Sequence, residues 1–329
     1  MNPLSALYGA GVGARNRLYD RGSLPTNRLQ GRVISIGSIS AGGAGKTPFL
    51  IMVGELLKRR GVSFDVLSRG YGRRTKGVAL VNPAGTPPEF GDEPLLIARK
   101  LGVPVIVGEN RYAAGQFAEQ KFGPQVHLLD DGFQHRRLAR DLDIALVTEE
   151  DLQDTLLPLG RLREPLLSLS RASGIVFIDG AASDHFPVRK GQHLWWVSRS
   201  IVPPETQDAC FAFCGIARPQ DFFAQLRTAG VRLAGTREFR DHHSYSAADT
   251  KLLLRLRRQY GATAFVTTEK DAVNLEGYLS QLQPIHVVPV RMQLGLPPGI
   301  VAGHGDVAAL LEEALYRVIV GRNDNRVRE

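Results

Sequence analysis

From residue 33 onward, short apolar runs alternate with stretches of helical periodicity: Val33-Ile34-Ser35-Ile36, Phe64-Asp65-Val66-Leu67, Val103-Pro104-Val105-Ile106-Val107, Val126-His127-Leu128-Leu129, Ile144-Ala145-Leu146-Val147 and Ile175-Val176-Phe177-Ile178. That alternation predicts an α/β fold, a parallel sheet covered by helices on both faces, with ligands gathering at the strand C-termini. The rhythm breaks around Trp195 to Pro204, where an apolar pair, a basic turn and Pro203-Pro204 read as a short linker. It resumes in Ala209 to Phe213, Ala264 to Thr267 and His286 to Val290, which predicts a second, smaller α/β domain. The expected division is an N-terminal segment over 1–32, a first domain over 33–194, a linker over 195–205 and a second domain over 206–329 with a cleft between the two.

Composition narrows the class. A chain of 329 residues with 43% hydrophobic content has material for two cores. Its two cysteines, Cys210 and Cys214, lie in an apolar run, too few for a zinc site and badly placed for a disulfide framework, so a reducing cytosol is expected. No run of 18 apolar residues occurs and the start lacks the succession of a secretory signal, so neither a membrane span nor export is expected. The net charge of +8 asks for an anionic partner. Residues 1–32 concentrate it in Arg15, Arg17, Arg21, Arg28 and Arg32 against Asp20. Leu4, Tyr8 and Val12, with Leu7, Leu18 and Tyr19, fall near helical spacing, and Asn2 and Pro3 can start a helix. Such a basic amphipathic segment can lie on an anionic bilayer or pack on the protein's own core, and Gly9, Gly11 and Gly13 weaken it as a helix.

The densest chemistry is Ser40-Ala41-Gly42-Gly43-Ala44-Gly45-Lys46-Thr47-Pro48, between the first apolar run and the helical Phe49-Leu50-Ile51-Met52-Val53. A strand feeding a helix through a glycine-rich turn aims backbone N–H groups and the positive helix end at one point, where an anion belongs. Lys46 can reach β- and γ-phosphates and the Thr47 hydroxyl can ligate Mg²⁺. The strict motif starts with Gly, and Ser40 makes this loop a variant.

Other strand ends add candidates. Asp130 and Asp131, in Asp130-Asp131-Gly132-Phe133-Gln134-His135, can hold Mg²⁺ or its waters, or simply turn the chain. Glu164, in Gly160-Arg161-Leu162-Arg163-Glu164-Pro165, is a further oxygen ligand or an ordinary glutamate. Asp92, in Gly91-Asp92-Glu93-Pro94, is either an N-cap for a helix over 94–101 or the group that accepts a proton from an attacking hydroxyl. Asp241-His242-His243 precedes a capped helix from Ala247 to about Gln259, and an imidazole near a catalytic carboxylate could tune it. Arg69, Arg73 and Arg74 around Tyr71 suit phosphate recognition or a solvated loop.

Taken in order, the loop from Ser40 to Pro48, Ser68-Arg69-Gly70-Tyr71-Gly72, Gly91 to Pro94, Asp130 to His135, Gly160 to Pro165, Asp241 to His243 and Thr268-Glu269-Lys270-Asp271 resemble the tetraacyldisaccharide 4'-kinase family of lipid A biosynthesis over nearly the whole chain. The resemblance implies ATP- and Mg²⁺-dependent phosphorylation of the 4'-hydroxyl of an acylated glucosamine disaccharide 1-phosphate, giving lipid IVA. It implies a peripheral protein on the cytoplasmic face of the bacterial inner membrane, with no nucleic acid and no obligate protein partner. It makes Asp92 the base, paired with His242 (His243 stays open), Lys46 a phosphate ligand, and Thr47, Asp130, Asp131 and Glu164 the metal's surroundings. Arg69, Tyr71, Arg111, Gln134, His135 and Arg163 would support substrate. Two rivals are a P-loop GTPase or metallochaperone-type switch, which lacks a guanine-reading Asn-Lys-x-Asp here, and a nucleic-acid-binding ATPase, for which only Tyr71 fits an interleaved aromatic.

Overall fold

In the computed structural model, residues 3–296 and 307–320 are described. A helix, α1 (Pro3–Asp20), runs through Gly9, Gly11 and Gly13 without a break. The large sheet then assembles from β1 (Arg32–Ser38), β2 (Phe64–Ser68), β3 (Ala79–Leu80), β4 (Val105–Val107), β5 (Val126–Asp130), β6 (Leu142–Val147), β7 (Gly174–Ile178) and β8 (His193–Ile201). Its order is β13-β8-β7-β6-β1-β5-β2-β4-β3, where β13 (Val290–Gly295) arrives late in the chain. The strands from β8 to β4 pair in parallel, and among the described residues the edge strands β3 and β13 alone are antiparallel.

Pleat alternation assigns the two faces. Ile34 and Ile36 of β1 join Phe49, Leu50 and Val53 of α2 (Lys46–Arg59) and Leu95, Ile97 and Leu101 of α4 (Asp92–Leu101), which follows the single turn α3 (Pro87–Phe90). Val33 faces the other way, with Ala114 and Ala118 of α5 (Arg111–Phe122). Each such large apolar side chain, fully withdrawn from water, stabilises by about 1.5–3 kcal/mol.

The smaller sheet holds β9 (Cys210–Cys214), β10 (Leu233–Glu238), β11 (Ala264–Thr268) and β12 (Ile285–Val288), in the order β10-β9-β11-β12, all parallel. Cys210 and Cys214 are free and buried against Phe222, Phe223 and Leu226 of α6 (Pro219–Thr228). Phe211 and Phe213 pack oppositely on Leu253 of α7 (Ala247–Gln259) and Leu275 of α8 (Glu269–Leu275).

Two sequence expectations need correcting. Trp195 to Ile201 is strand β8 of the large sheet, with Trp195 and Val197 buried, so the expected linker over 195–205 shrinks to the residues after Ile201. The run His286 to Val290 is two strands in two sheets, broken at Pro289, which has no N–H for a ladder. Val202 N–H donates to Pro289 O at 2.9 Å, tying the two crossings together. The smaller domain is therefore an insert between β8 and β13, and the chain returns to the large domain afterwards, where α9 (Val307–Val320) places Leu311 and Leu315 in the large core. The last part of the expected 206–329 domain lies partly outside the described residues.

Candidate active site

The C-terminal end of β1 opens into the glycine-rich loop. Gly42, Gly43 and Gly45 have φ of 74°, 71° and 76°, the left-handed region that favours glycine, so the backbone can fold into an anion cradle before α2 begins at Lys46. Side chains have no room there: a Cβ on Gly45 would come 2.6 Å from Met292 Cε, and one on Gly43 would come 2.8 Å from Arg218 Nε. The loop's first half is braced by the segment before Glu164, since Ala41 N–H donates to Arg161 O and Arg163 N–H to Ile39 O. Ser40 is buried within that bracing and bridges Leu162, while Ala44 is part of the large core. Pro48 sits in the first turn of α2, where a missing N–H costs nothing.

Lys46 Nζ reaches back to Ser38 Oγ at 3.4 Å and to Asp131 Oδ1 at 3.5 Å. Asp131 follows the last residue of β5 with φ 50°, a conformation that few non-glycine residues adopt. Its other oxygen accepts from Arg163 Nη1 at 2.7 Å, and Gln134 links Arg163 to the Ser38 carbonyl. Burial pushes the Asp131 carboxyl up, but Lys46 and Arg163 outweigh it and hold it low. Asp130 is pushed up to about 7 by burial, then by Glu93 and by Asp131, with Ser68 Oγ–H donating to it at 2.7 Å.

A hard cation with oxygen ligands fits this set. Among the described residues Asp131 Oδ1 is buried and accepts no hydrogen bond, and Thr47, next after Lys46 in the chain, is buried as well. Glu164 departs from expectation: both carboxylate oxygens are taken, by a two-pronged contact from Arg171 at 2.8 and 3.0 Å and by Asn16 of α1 at 2.7 Å. No group of three or more His, Cys, Asp or Glu side chains positioned for a metal occurs among the described residues.

The second cluster spans the cleft. Asp92 is the first residue of α4, after Gly91 with φ 92°, so it is not the N-cap; its Oδ1 accepts the Glu93 N–H at 2.9 Å. Its Oδ2 accepts from His242 Nδ1 at 2.8 Å and from Asn274 Nδ2 at 3.2 Å. His242 and Asn274 come from the insert, and His242 has φ 58°. Burial raises the Asp92 carboxyl, and His242 and Lys270 more than offset this, leaving it below the usual carboxylate range. Burial presses the His242 ring toward neutral, while the Asp92 bond draws it more strongly toward a proton. His243 turns away, to Asp249 at 3.2 Å, so geometry selects His242 as the partner of Asp92.

The remaining candidates surround these clusters. Arg111 is buried, held by Gly108 O at 2.8 Å, and lowered to about 10 by burial with Arg69 adding repulsion against the pull of Asp130 and Asp131. His135 is lowered to about 4 by burial and by Arg111, Arg140 and their neighbours. Tyr71 is exposed, its ring 5.3 Å from that of His242. Sequence reading missed Lys270, Asn274, Ser68, Arg199 and Arg218. Arg199 Nη1 donates to Gly43 O at 3.0 Å, and Arg218 pairs with Glu150 at 2.9 Å above the same loop. Lys270 and Ser68 carried a signal, through the motifs Thr268 to Asp271 and Ser68 to Gly72. The cleft also has an apolar wall in Ile201, Ile216, Phe222 and Val290.

A family model described as tetraacyldisaccharide-1-P 4'-kinase matches residues 1–302. A tetraacyldisaccharide 4'-kinase of Koribacter versatilis is 49% identical over 304 residues, 89% of this chain and 94% of the relative. That of Aquifex aeolicus is 36% identical over 293 residues, 84% and 89%. A crystal structure of LpxK from Aquifex aeolicus, described as an "apo" form in complex with ATP, superposes with a TM-score of 0.77 at 32% identity, covering 96% of this chain and 98% of the other. None of these relatives supports the switch GTPase alternative.

Proposed function

The chain belongs to the tetraacyldisaccharide 4'-kinase family, and from that premise we propose how its own residues carry the reaction. It is an ATP-dependent kinase of lipid A biosynthesis that phosphorylates the 4'-hydroxyl of a tetraacyldisaccharide 1-phosphate. The backbone amides of the 42–47 loop and the Lys46 ammonium hold the triphosphate, and positioning with charge neutralisation supplies most of the rate. Mg²⁺, when bound, neutralises charge on the β- and γ-phosphate oxygens. Thr47, Asp130 and Asp131 would hold it, while Glu164 acts from behind, by fixing Arg171 and Asn16. Asp92 is the base. Both good approaches to its Oδ2 are filled, so Oδ1, which receives one N–H from Glu93, accepts the sugar proton as the hydroxyl oxygen bonds to the γ-phosphorus and the bond from that phosphorus to the β–γ bridging oxygen breaks, releasing ADP. We assign Arg69, Arg111, His135, Gln134 and Arg163 to the support of the substrate.

The single observation supporting this reading is the 2.8 Å contact between Asp92 and His242, groups 150 positions apart that meet across the cleft. The acylated substrate lives in a bilayer, and α1, with Leu7 and Leu18 exposed beside its arginines, reads as the part that meets an anionic cytoplasmic membrane surface. No helix among the described residues is long and apolar enough to cross one. Transfer of label from ATP to the disaccharide monophosphate in detergent micelles tests the base. Asp92→Asn should lower kcat by about 10²–10⁴-fold with nucleotide binding retained, and a kcat within threefold of the parent would falsify the assignment.

A further inference from the structure

Lys270, on α8, has no part in the roles above, yet its side chain is largely buried against the dyad. Its Nζ lies 3.1 Å from His242 Nε2, 3.1 Å from Asp241 Oδ1, 3.7 Å from Glu93 Oε1 and 4.0 Å from Asp92 Oδ2. Three carboxylates around one ammonium keep it charged: burial alone would lower Lys270, and Glu93, Asp92 and Asp241 more than reverse that. An ammonium has three donors and no acceptor. At 3.1 Å from an imidazole nitrogen it can only donate, so that nitrogen must carry a lone pair. The proton of a neutral ring then sits on Nδ1, where it points at Asp92 Oδ2.

We propose that Lys270 is a positioning residue that caps His242 Nε2, fixes the ring as the neutral Nδ1-protonated tautomer, and withholds the second proton that Asp92 would otherwise draw onto it. The proposal rests on the reading of Asp92 as base. It has a mechanistic content beyond that reading: with Nε2 occupied and Nδ1 already protonated, His242 has no site for the sugar proton and serves as a fixed donor. The proton must stay on Asp92. The other groups that face the ring do not compete for Nε2. Asp241 Oδ2 stands 3.9 Å away, Glu93 engages Lys270, Asn274 engages Asp92, and Tyr71 offers its ring.

The test is nitrogen NMR of the full-length protein with ¹⁵N-labelled histidine, His242 being assigned by the signals lost in His242→Asn, together with pH profiles of kcat/KM. At pH 8 and above, the neutral His242 ring of the parent should show the Nδ1-protonated pattern. Lys270→Met should let the ring charge at a higher pH than in the parent, so that kcat/KM at pH 6 falls roughly tenfold further below its pH 8 value than in the parent. Lys270→Arg, which keeps donors at that place, should restore the parent pattern. A neutral parent ring that carries its proton on Nε2 overturns the proposal without any variant having to fold. So does a Lys270→Met protein with unchanged tautomer and pH profile whose only defect is a raised KM for ATP. The base reading fails separately, through an active Asp92→Asn, and leaves the parent spectrum untouched.

Discussion

Asp130 shows what the site demands of a single side chain. Its folded-state pKa of about 7 stands above the ordinary 3.8, so between those values the folded protein binds more protons than the unfolded chain, and stability falls as pH rises through that window. Asp130→Asn retains an acceptor for Ser68 and removes the charge. In metal-free protein it should raise Tm by about 3–6 °C at pH 8 and hardly at all at pH 4, while turnover collapses; differential scanning calorimetry at both pH values checks the first part. The phosphate loop was legible because Gly42 to Thr47 is contiguous and its chemistry is local. Asn274 and Arg199 were not, because they reach Asp92 and Gly43 over 182 and 156 positions and nothing in their own neighbourhoods announces it. Glu164 was legible as a candidate oxygen ligand in its own motif, but its partner Asn16 was invisible for the same reason of distance.

Among the elements, α1 joins two alternatives that the sequence left open. Its polar side chains dock on the floor of the site, with Ser5 Oγ on Leu156 O, Tyr8 OH on Arg163 O, Arg15 on Gln134 O and Asn16 on Glu164. Leu7 and Leu18 remain exposed. The two functions should separate. Leu7→Glu should weaken co-sedimentation with anionic vesicles and leave turnover of micellar substrate within about twofold, since a surface change away from contacts costs little stability. Asn16→Ala should leave vesicle binding intact and lower kcat roughly tenfold, through a Glu164 and Arg163 segment that is less well placed. Equal loss of both properties in both variants would mean the helix acts only as a scaffold. Buried parallel strands such as β1 and β5 announced themselves as apolar runs. Strand β13 did not, because Val290-Arg291-Met292-Gln293 alternates like the half-exposed edge strand it is and pairs only with β8.

For the molecule as a whole, the dyad is one of several ties between the large domain and the insert. Arg99 meets Glu276 at 2.9 Å, Lys100 meets Glu269, and Arg218 meets Glu150 at 2.9 Å. Exposed pairs of this kind contribute about 0–1 kcal/mol each, so together they bias the closed arrangement without locking it. Replacing Glu269 and Glu276 by Ala should lower kcat about threefold to tenfold and speed hydrogen exchange in the 241–245 loop, with the cores of both domains still protected. Unchanged exchange would show that closure depends on the dyad alone. Entry and exit of the insert through neighbouring strands has a last consequence. Were the cleft to open, His242 would leave Asp92 while the 42–47 cradle, carried by β1 and α2, stayed whole, so a nucleotide-loaded enzyme without lipid would lack its assembled base.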